Sequence, residues 1–213
     1  ARPSAPNASL ERTFREPLTG PELRVLIMQK KSLLVVFLTV FIDLVGFGIV
    51  LPLLPIYSEH FGASDLMIGV IIASFSAMQF LFAPAWGRLS DRIGRRPVLL
   101  ISNFGSVISY GLFGVAGLLH GQTALWVLLG SRIFAGVCGA NLSVANAYIA
   151  DISPPETRSK NMGLVGLAFG LGFILGPALG SLSVRWFGTP GPGFVAAGIC
   201  LVNFTLTSLI LGE

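Results

Sequence analysis

Two side chains of opposite charge sit where charge is most expensive. Asp43 lies about eleven residues into the first long apolar run, and Arg132 about eight residues into the fourth, entered from the other end. At about 1.5 Å of rise per residue, those positions are roughly 16 Å and 12 Å deep in a hydrocarbon layer of about 30 Å. The two depths nearly coincide, so the acid and the base are expected to stand at one level and neutralise each other. Alone, either would cost several kcal/mol. Such a pair is either a fastening between the first and fourth helices or a carboxylate that exchanges protons or contacts a substrate, with the guanidinium holding its charge. Gln79, Ser109 beside Tyr110, Asn141, Asn146 and Asn203 also fall inside apolar runs. Together they are expected to line one polar cavity, although each alone could equally form an interhelical hydrogen bond. The sequence holds no nucleophile paired with a base and no GxxxxGK[ST] loop, which argues against an enzyme and against ATP-driven work. Cys138 and Cys200 lie in apolar runs, and His60 and His120 at loop edges, so neither a disulfide nor a metal centre is expected.

The elements that must position these groups are membrane spans. Of the 213 residues, 53% are hydrophobic and only 11% are charged, against about a quarter charged in soluble domains. Six apolar runs, near 32–57, 66–86, 97–119, 124–150, 162–186 and 194–211, each approach the length of about 20 residues that a crossing helix needs. The fold class is therefore an all-α membrane domain of six helices over residues 32–213. Residues 1–31, with four prolines and mixed charge, read as a disordered tail in which Glu22 to Lys31 is a candidate surface helix. Twelve of the 14 Lys and Arg residues lie in the tail, in Gly87 to Arg96, or in Asp151 to Asn161. The intervening connections are nearly free of them. Positive charge is retained in the cytoplasm, so both ends of the chain are expected there, in a multi-pass protein of a cell membrane. Basic residues confined to short loops fit anionic lipid and give no nucleic-acid face. The fifth run is rich in glycine; Gly172, Gly176 and Gly180 recur every four residues as a ridge for close helix approach, and Pro177 removes a backbone donor within it.

The densest charge lies in GRLSDRIGRRPVLL, Gly87 to Leu100, expected as a tight turn on one membrane face between the second and third spans. Its pattern Gly87-x3-Asp91-Arg92-x-Gly94-Arg95-Arg96 resembles the loop between spans two and three of the major facilitator superfamily. Three further patterns occur in the matching order: Gly46-x5-Pro52-x2-Pro55, Arg132-x3-Gly136, and Gly163-x8-Gly172-x3-Gly176-Pro177-x2-Gly180. The last resembles the fifth-span signature of twelve-span drug/proton antiporters, with Ser181 where a second glycine is usual. The likeness runs from about Leu33 to Glu213, with bacterial tetracycline efflux proteins the nearest in character.

That resemblance implies the amino-terminal half of a transporter, built as two inverted three-helix repeats. The other half, or a second copy, would complete the site for a small-molecule substrate. It implies that Asp91 and Arg95 latch the cytoplasmic side, with Asp151 accepting a basic partner. Arg132 would assist proton movement, and the glycine ridge would pack against the other half and limit leak. Asp43 and Gln79 fall where tetracycline exporters also carry an aspartate and a glutamine. Those exporters carry an acid in span three, where this chain has Ser109, which leaves Asp43 as the acid in mid-span. The implied activity is exchange of protons for a small amphipathic organic compound, driven by the proton gradient of a bacterial inner membrane without a bound cofactor. The alternatives are a proton-coupled nutrient symporter and a non-transporting membrane scaffold or receptor.

Overall fold

The computed structural model describes residues 20–139 and 141–210. Helices account for nearly all of them: α1 (Gly20–Val50), α2 (Leu53–His60), α3 (Asp65–Ile93), α4 (Arg95–Ala116), α5 (Gly121–Cys138), α6 (Asn141–Ile152), α7 (Pro155–Phe187) and α8 (Gly191–Ile210). They form six stretches long and apolar enough to cross a membrane, α1 with α2 and α5 with α6 each making one. The chain is a multi-pass membrane protein. Residues 20–31, assigned above to the tail, belong to α1, which runs without a break into the first span. The rest of the tail lies outside the described residues.

Local chemistry sets the joints. Pro52 has no amide to donate and stands at the N-cap of α2 with φ −71°, so the helical ladder ends on Leu51, whose amide reaches Phe47 O at 2.9 Å. Ser64 caps α3 by accepting from the Met67 amide at 3.4 Å. Pro155 opens α7 in the first-turn position that tolerates a missing donor.

The Gly87–Leu100 segment corrects the expectation of a charged loop. α3 continues to Ile93 and α4 begins at Arg95, so the turn is the single residue Gly94, at φ +96°. A 29-residue helix is about 44 Å long at about 1.5 Å per residue, well beyond a hydrocarbon layer of about 30 Å. Its last turns therefore lie in water or headgroups, where arginines are no obstacle to a helix. The same length argument turns Asp151 to Asn161 into the end of α6, a short joint at Ser153–Pro154, and the start of α7.

Two buried clusters hold the helices together. One centres on Ile49, Leu54, Tyr57, Phe113 and Leu128; the other on Val36, Val40, Leu99, Val144 and Ile149. α1 contributes to both and packs most extensively against α7, while α4 packs against α8. Of the most apolar window, 56% is buried in the first span but only 6% in α3 and 22% in α7. These two helices present apolar faces outward.

Candidate functional site

A cavity of about 250 Å³ opens between α1, α3, α4, α5, α6 and α7, lined by Asp43, Gln79, Ser106, Ser109 and Tyr110 among aromatic neighbours Phe47, Phe75 and Phe169. It brings together four of the groups singled out in the sequence: Asp43, Gln79, Ser109 and Tyr110. Asp43 is half-buried, and Ser106 Oγ donates to its Oδ1 at 3.2 Å. Ser109 Oγ is fully buried in the wall and has no hydrogen-bond partner among the described residues.

Arg132 is elsewhere. Its side chain is 1% exposed, and its guanidinium carbon stands 5.8 Å from the centroid of the Tyr110 ring and 5.6 Å from that of Phe113. Its Nε and NH2 groups find no hydrogen-bond partner among the described residues. The ion pairs among those residues are both made by Arg95. The expected Asp43–Arg132 pair is therefore replaced by two separate settings: Asp43 faces the cavity, and Arg132 meets the rings of Tyr110 and Phe113. Tyr110 lies within electrostatic reach of both charges.

Three asparagines were candidates for the cavity wall. Asn203 is buried at the seam of α1 and α8, where its Nδ2 donates to Thr39 O at 3.2 Å. It belongs to a network in which Thr39 and Thr207 hydroxyls meet at 3.0 Å and Asn103 donates to Thr207 at 3.3 Å. Its role there is helix fastening, and it is not part of the cavity. Asn146 is half-buried on α6 and does not line the cavity. The Asn141 side chain lies outside the described residues. Gln79 lines the cavity, but its amide is engaged by the Gly139 carbonyl at 3.1 Å.

At the opposite end of α6, the charged residues converge. Arg95 NH1 lies 2.7 Å from Asp91 Oδ1, and Arg95 Nε donates to Asp151 Oδ2 at 3.2 Å; NH1 also donates to Ser90 Oγ. Arg95 thus ties α3 and α4 to α6. Both carboxylates are about three-fifths exposed (63% and 60%), so the tie is weak, about 0.2–1 kcal/mol per pair. Arg96 NH2 donates to Ser208 O at 3.0 Å, near the end of α8. Arg92 is exposed, and Gly87 has open space where a Cβ would stand.

The glycine ridge also faces an unexpected neighbour. A Cβ on Gly172 would meet Leu44 Cβ at 2.9 Å, one on Gly176 would meet Gly48 Cα at 2.6 Å, and one on Gly180 would meet Ile49 O at 3.0 Å. The ridge is filled by α1 of the same domain, because Gly48 offers a matching gap. It is Gly163, on the same helix, that has open space beside it, while Pro177 points outward, exposed.

Sequence reasoning missed the aromatic lining (Phe47, Phe75, Phe169), Ser106 and the two helix joints. The joints had signals, Pro52 with Pro55 in the first span and Gly136 with Gly139 in the fourth. Continuous hydropathy concealed both.

Residues 36–213 match the model of the Major Facilitator Superfamily. The chain is 44% identical over 185 residues to the class C tetracycline resistance protein of Escherichia coli, covering 85% of this chain and 45% of that protein. It is 33% identical over 187 residues to the mouse major facilitator superfamily domain-containing protein 10, covering 74% and 40% respectively. In three dimensions it resembles the crystal structure of the human organic anion transporter MFSD10, with TM-score 0.73 and 31% identity over 87% of this chain and 48% of that one. The chain thus spans less than half the length of the curated relatives it matches. Six spans, a cavity-facing carboxylate and an arginine latch, together with the match over residues 36–213, place this chain in the Major Facilitator Superfamily.

Proposed function

We propose that this domain forms one wall of a proton-coupled exporter, which exchanges protons for a small amphipathic organic compound by alternating access. The observation that carries the proposal is Asp43: a carboxylate on the wall of a cavity otherwise lined largely by aromatic and small side chains. A carboxylate held by a hydroxyl inside a membrane domain can take up a proton without a large rearrangement, and its charge then disappears from the cavity. Phe47, Phe75, Phe169 and Tyr110 offer ring faces to an apolar or aromatic portion of a ligand. Export follows when a proton and the compound compete for the cavity in its two orientations.

The Arg95 latch supports a rocking mechanism. Exposed ion pairs of this kind are cheap to break and re-form, as a device that opens on every cycle must be. A further six-helix half, or a second copy, covers the outward-facing apolar surfaces of α3 and α7 and closes the cavity. In this arrangement both ends of the domain and the Arg95 turn are cytoplasmic, in a bacterial inner membrane, with the start of α1 on the cytoplasmic side. The proton gradient is the energy source and no cofactor takes part. The names of the relatives point to tetracyclines or organic anions as compounds to try first, although Ser109 stands where tetracycline exporters place an acid.

The test is uptake of a fluorescent amphipathic compound into inside-out vesicles from cells expressing the gene that encodes this chain. Uptake that rises with an imposed proton gradient and collapses when the gradient is dissipated is the expected result. Uptake indifferent to the gradient rejects proton coupling. No uptake of any compound across a broad panel favours the scaffold alternative.

A further inference from the structure

A helix that stops inside a bilayer leaves carbonyls without donors, and each such group costs several kcal/mol in hydrocarbon. The fourth span stops in this way, between Cys138 at the end of α5 and Asn141 at the start of α6. Gly139 has φ −70° and ψ 45°, off the helical ladder. Three successive carbonyls at the break are taken by side chains from neighbouring helices. Trp86 Nε1 donates to Val137 O at 2.5 Å, Ser102 Oγ donates to Cys138 O, and Gln79 Nε2 donates to Gly139 O at 3.1 Å. Gln79 and Trp86 are seven residues apart, and so share one stripe of α3; Ser102 reaches in from α4. Gly136 lets α3 come close enough, since a Cβ there would meet Met78 Cβ at 2.7 Å.

The three straps differ in one respect. Ser102 is fully buried and Trp86 does not line the cavity, whereas Gln79 does. It is the strap a ligand can reach. Beyond the break, α6 is 12 residues of helix, about 18 Å long. It carries Leu142 on the cavity wall at one end and Asp151 in the Arg95 latch at the other. A single rigid element therefore joins the cavity to the cytoplasmic latch, hinged where the straps hold.

We propose that Gln79 is a positioning residue: its bond to the Gly139 carbonyl sets the tilt of α6, and a ligand that competes for its amide releases the hinge and so loosens the Asp151–Arg95 latch. Gln79 thus couples cavity occupancy to the cytoplasmic gate. The inference rests on the cavity being the transport site proposed above.

The experiment reads the hinge directly. Ser153, just past α6, is 4% exposed and accepts from Asn161 Nδ2 at 2.9 Å; Glu156 is exposed. Ser153→Cys and, as control, Glu156→Cys are labelled with a maleimide from the cytoplasmic side, each with Gln79 intact or replaced by leucine. Gln79→Leu should raise Ser153→Cys labelling about fivefold, the low end of ordinary coupling between sites, and leave the Glu156→Cys control unchanged. Transport by Gln79→Leu should show a lowered maximal rate, with KM within about twofold of the unsubstituted protein. Ser102→Ala, which removes a strap without touching the cavity, should open Ser153→Cys in the same way and serves if Gln79→Leu fails to accumulate. Unchanged labelling in both variants overturns the proposal. So does a raised KM at unchanged maximal rate and labelling, which would make Gln79 a substrate contact. The labelling needs neither substrate nor gradient. Unsubstituted protein that shows no gradient-driven uptake therefore rejects the parent proposal without deciding the hinge.

Discussion

Gly176→Ala adds one methyl group to α7, and the structure says where that methyl must go. Its Cβ would stand 2.6 Å from Gly48 Cα and 2.8 Å from Ile49 N, both backbone atoms of α1. Backbone cannot swing aside as a flexible side chain can, so one helix must be displaced. Overpacking of this kind costs about 1–3 kcal/mol. For a domain of this size, each kcal/mol lowers Tm by about 2–4 °C, and the expected fall is about 2–12 °C in detergent-solubilised protein. Gly163→Ala is the internal control: it lies on the same helix, in open space. Alanine there replaces a poor helix former with the best one, a gain of up to about 1 kcal/mol, so Tm should hold or rise. Thermal unfolding followed by a thiol-reactive dye at the buried Cys138 and Cys200 reads both variants. A tolerated Gly176→Ala beside a damaging Gly163→Ala would refute the packing of the ridge against α1. It would restore the arrangement in which the ridge faces another half.

Asp43→Asn should abolish gradient-driven uptake while leaving the amount of protein in the membrane unchanged; normal uptake in vesicles rejects Asp43 as the proton site. Arg132→Met should leave Tm unchanged or raise it, because ring contacts worth up to about 2 kcal/mol are set against the several kcal/mol of burying a guanidinium of which two nitrogens have no hydrogen-bond partner among the described residues. A fall of more than about 5 °C, beyond 1–2 kcal/mol, would show that the arginine fastens the fold. Asp151→Asn removes a pair that is mostly in solvent, so Tm should move by less than about 4 °C while transport slows. A stability loss without any change in transport would make the latch merely structural. Arg92→Cys, exposed beside the latch, should react with an impermeant maleimide in inside-out vesicles and resist it in intact cells; the reverse pattern inverts the topology.

Much of this domain could be read from residue types alone, because the bilayer imposes a single coarse rule. Six apolar runs had to be six crossings, and the charges between them had to lie outside. What that rule leaves open is where a helix ends. Charge marks Gly87–Leu100 as a turn between spans, yet a helix that has left the hydrocarbon can carry arginines freely, and only Gly94 breaks the ladder. The converse error occurred in the fourth span. Residues 124–150 are apolar enough to read as one helix, although the helix stops after Cys138. Composition cannot report a break whose stranded carbonyls are satisfied by Trp86, Ser102 and Gln79 from other helices. The glycine spacing was legible in the same limited sense. A four-residue repeat requires a close neighbour, but the identity of that neighbour rests on Gly48, more than a hundred residues away.

Asp43 and Arg132 show the limit most clearly. Counting residues gives depth along a span, and Tyr110 shares the cavity lining with Asp43 while Arg132 stands 5.8 Å from its ring centroid. Depth says nothing of azimuth. Helix rotation turns Asp43 toward the cavity and Ser106, and turns Arg132 toward the rings of Tyr110 and Phe113. The consequence for mechanism is physical. Were the two in contact, a proton arriving on Asp43 would leave a buried arginine newly uncompensated, at a cost of several kcal/mol. No ion pair joins Asp43 to Arg132 among the described residues, so a proton on Asp43 would not take a salt-bridge partner from the arginine. On the proposed exporter reading, the hydroxyl of Ser106 suits Asp43 better than an ion pair would, since a hydroxyl can donate to the charged form and accept from the neutral one.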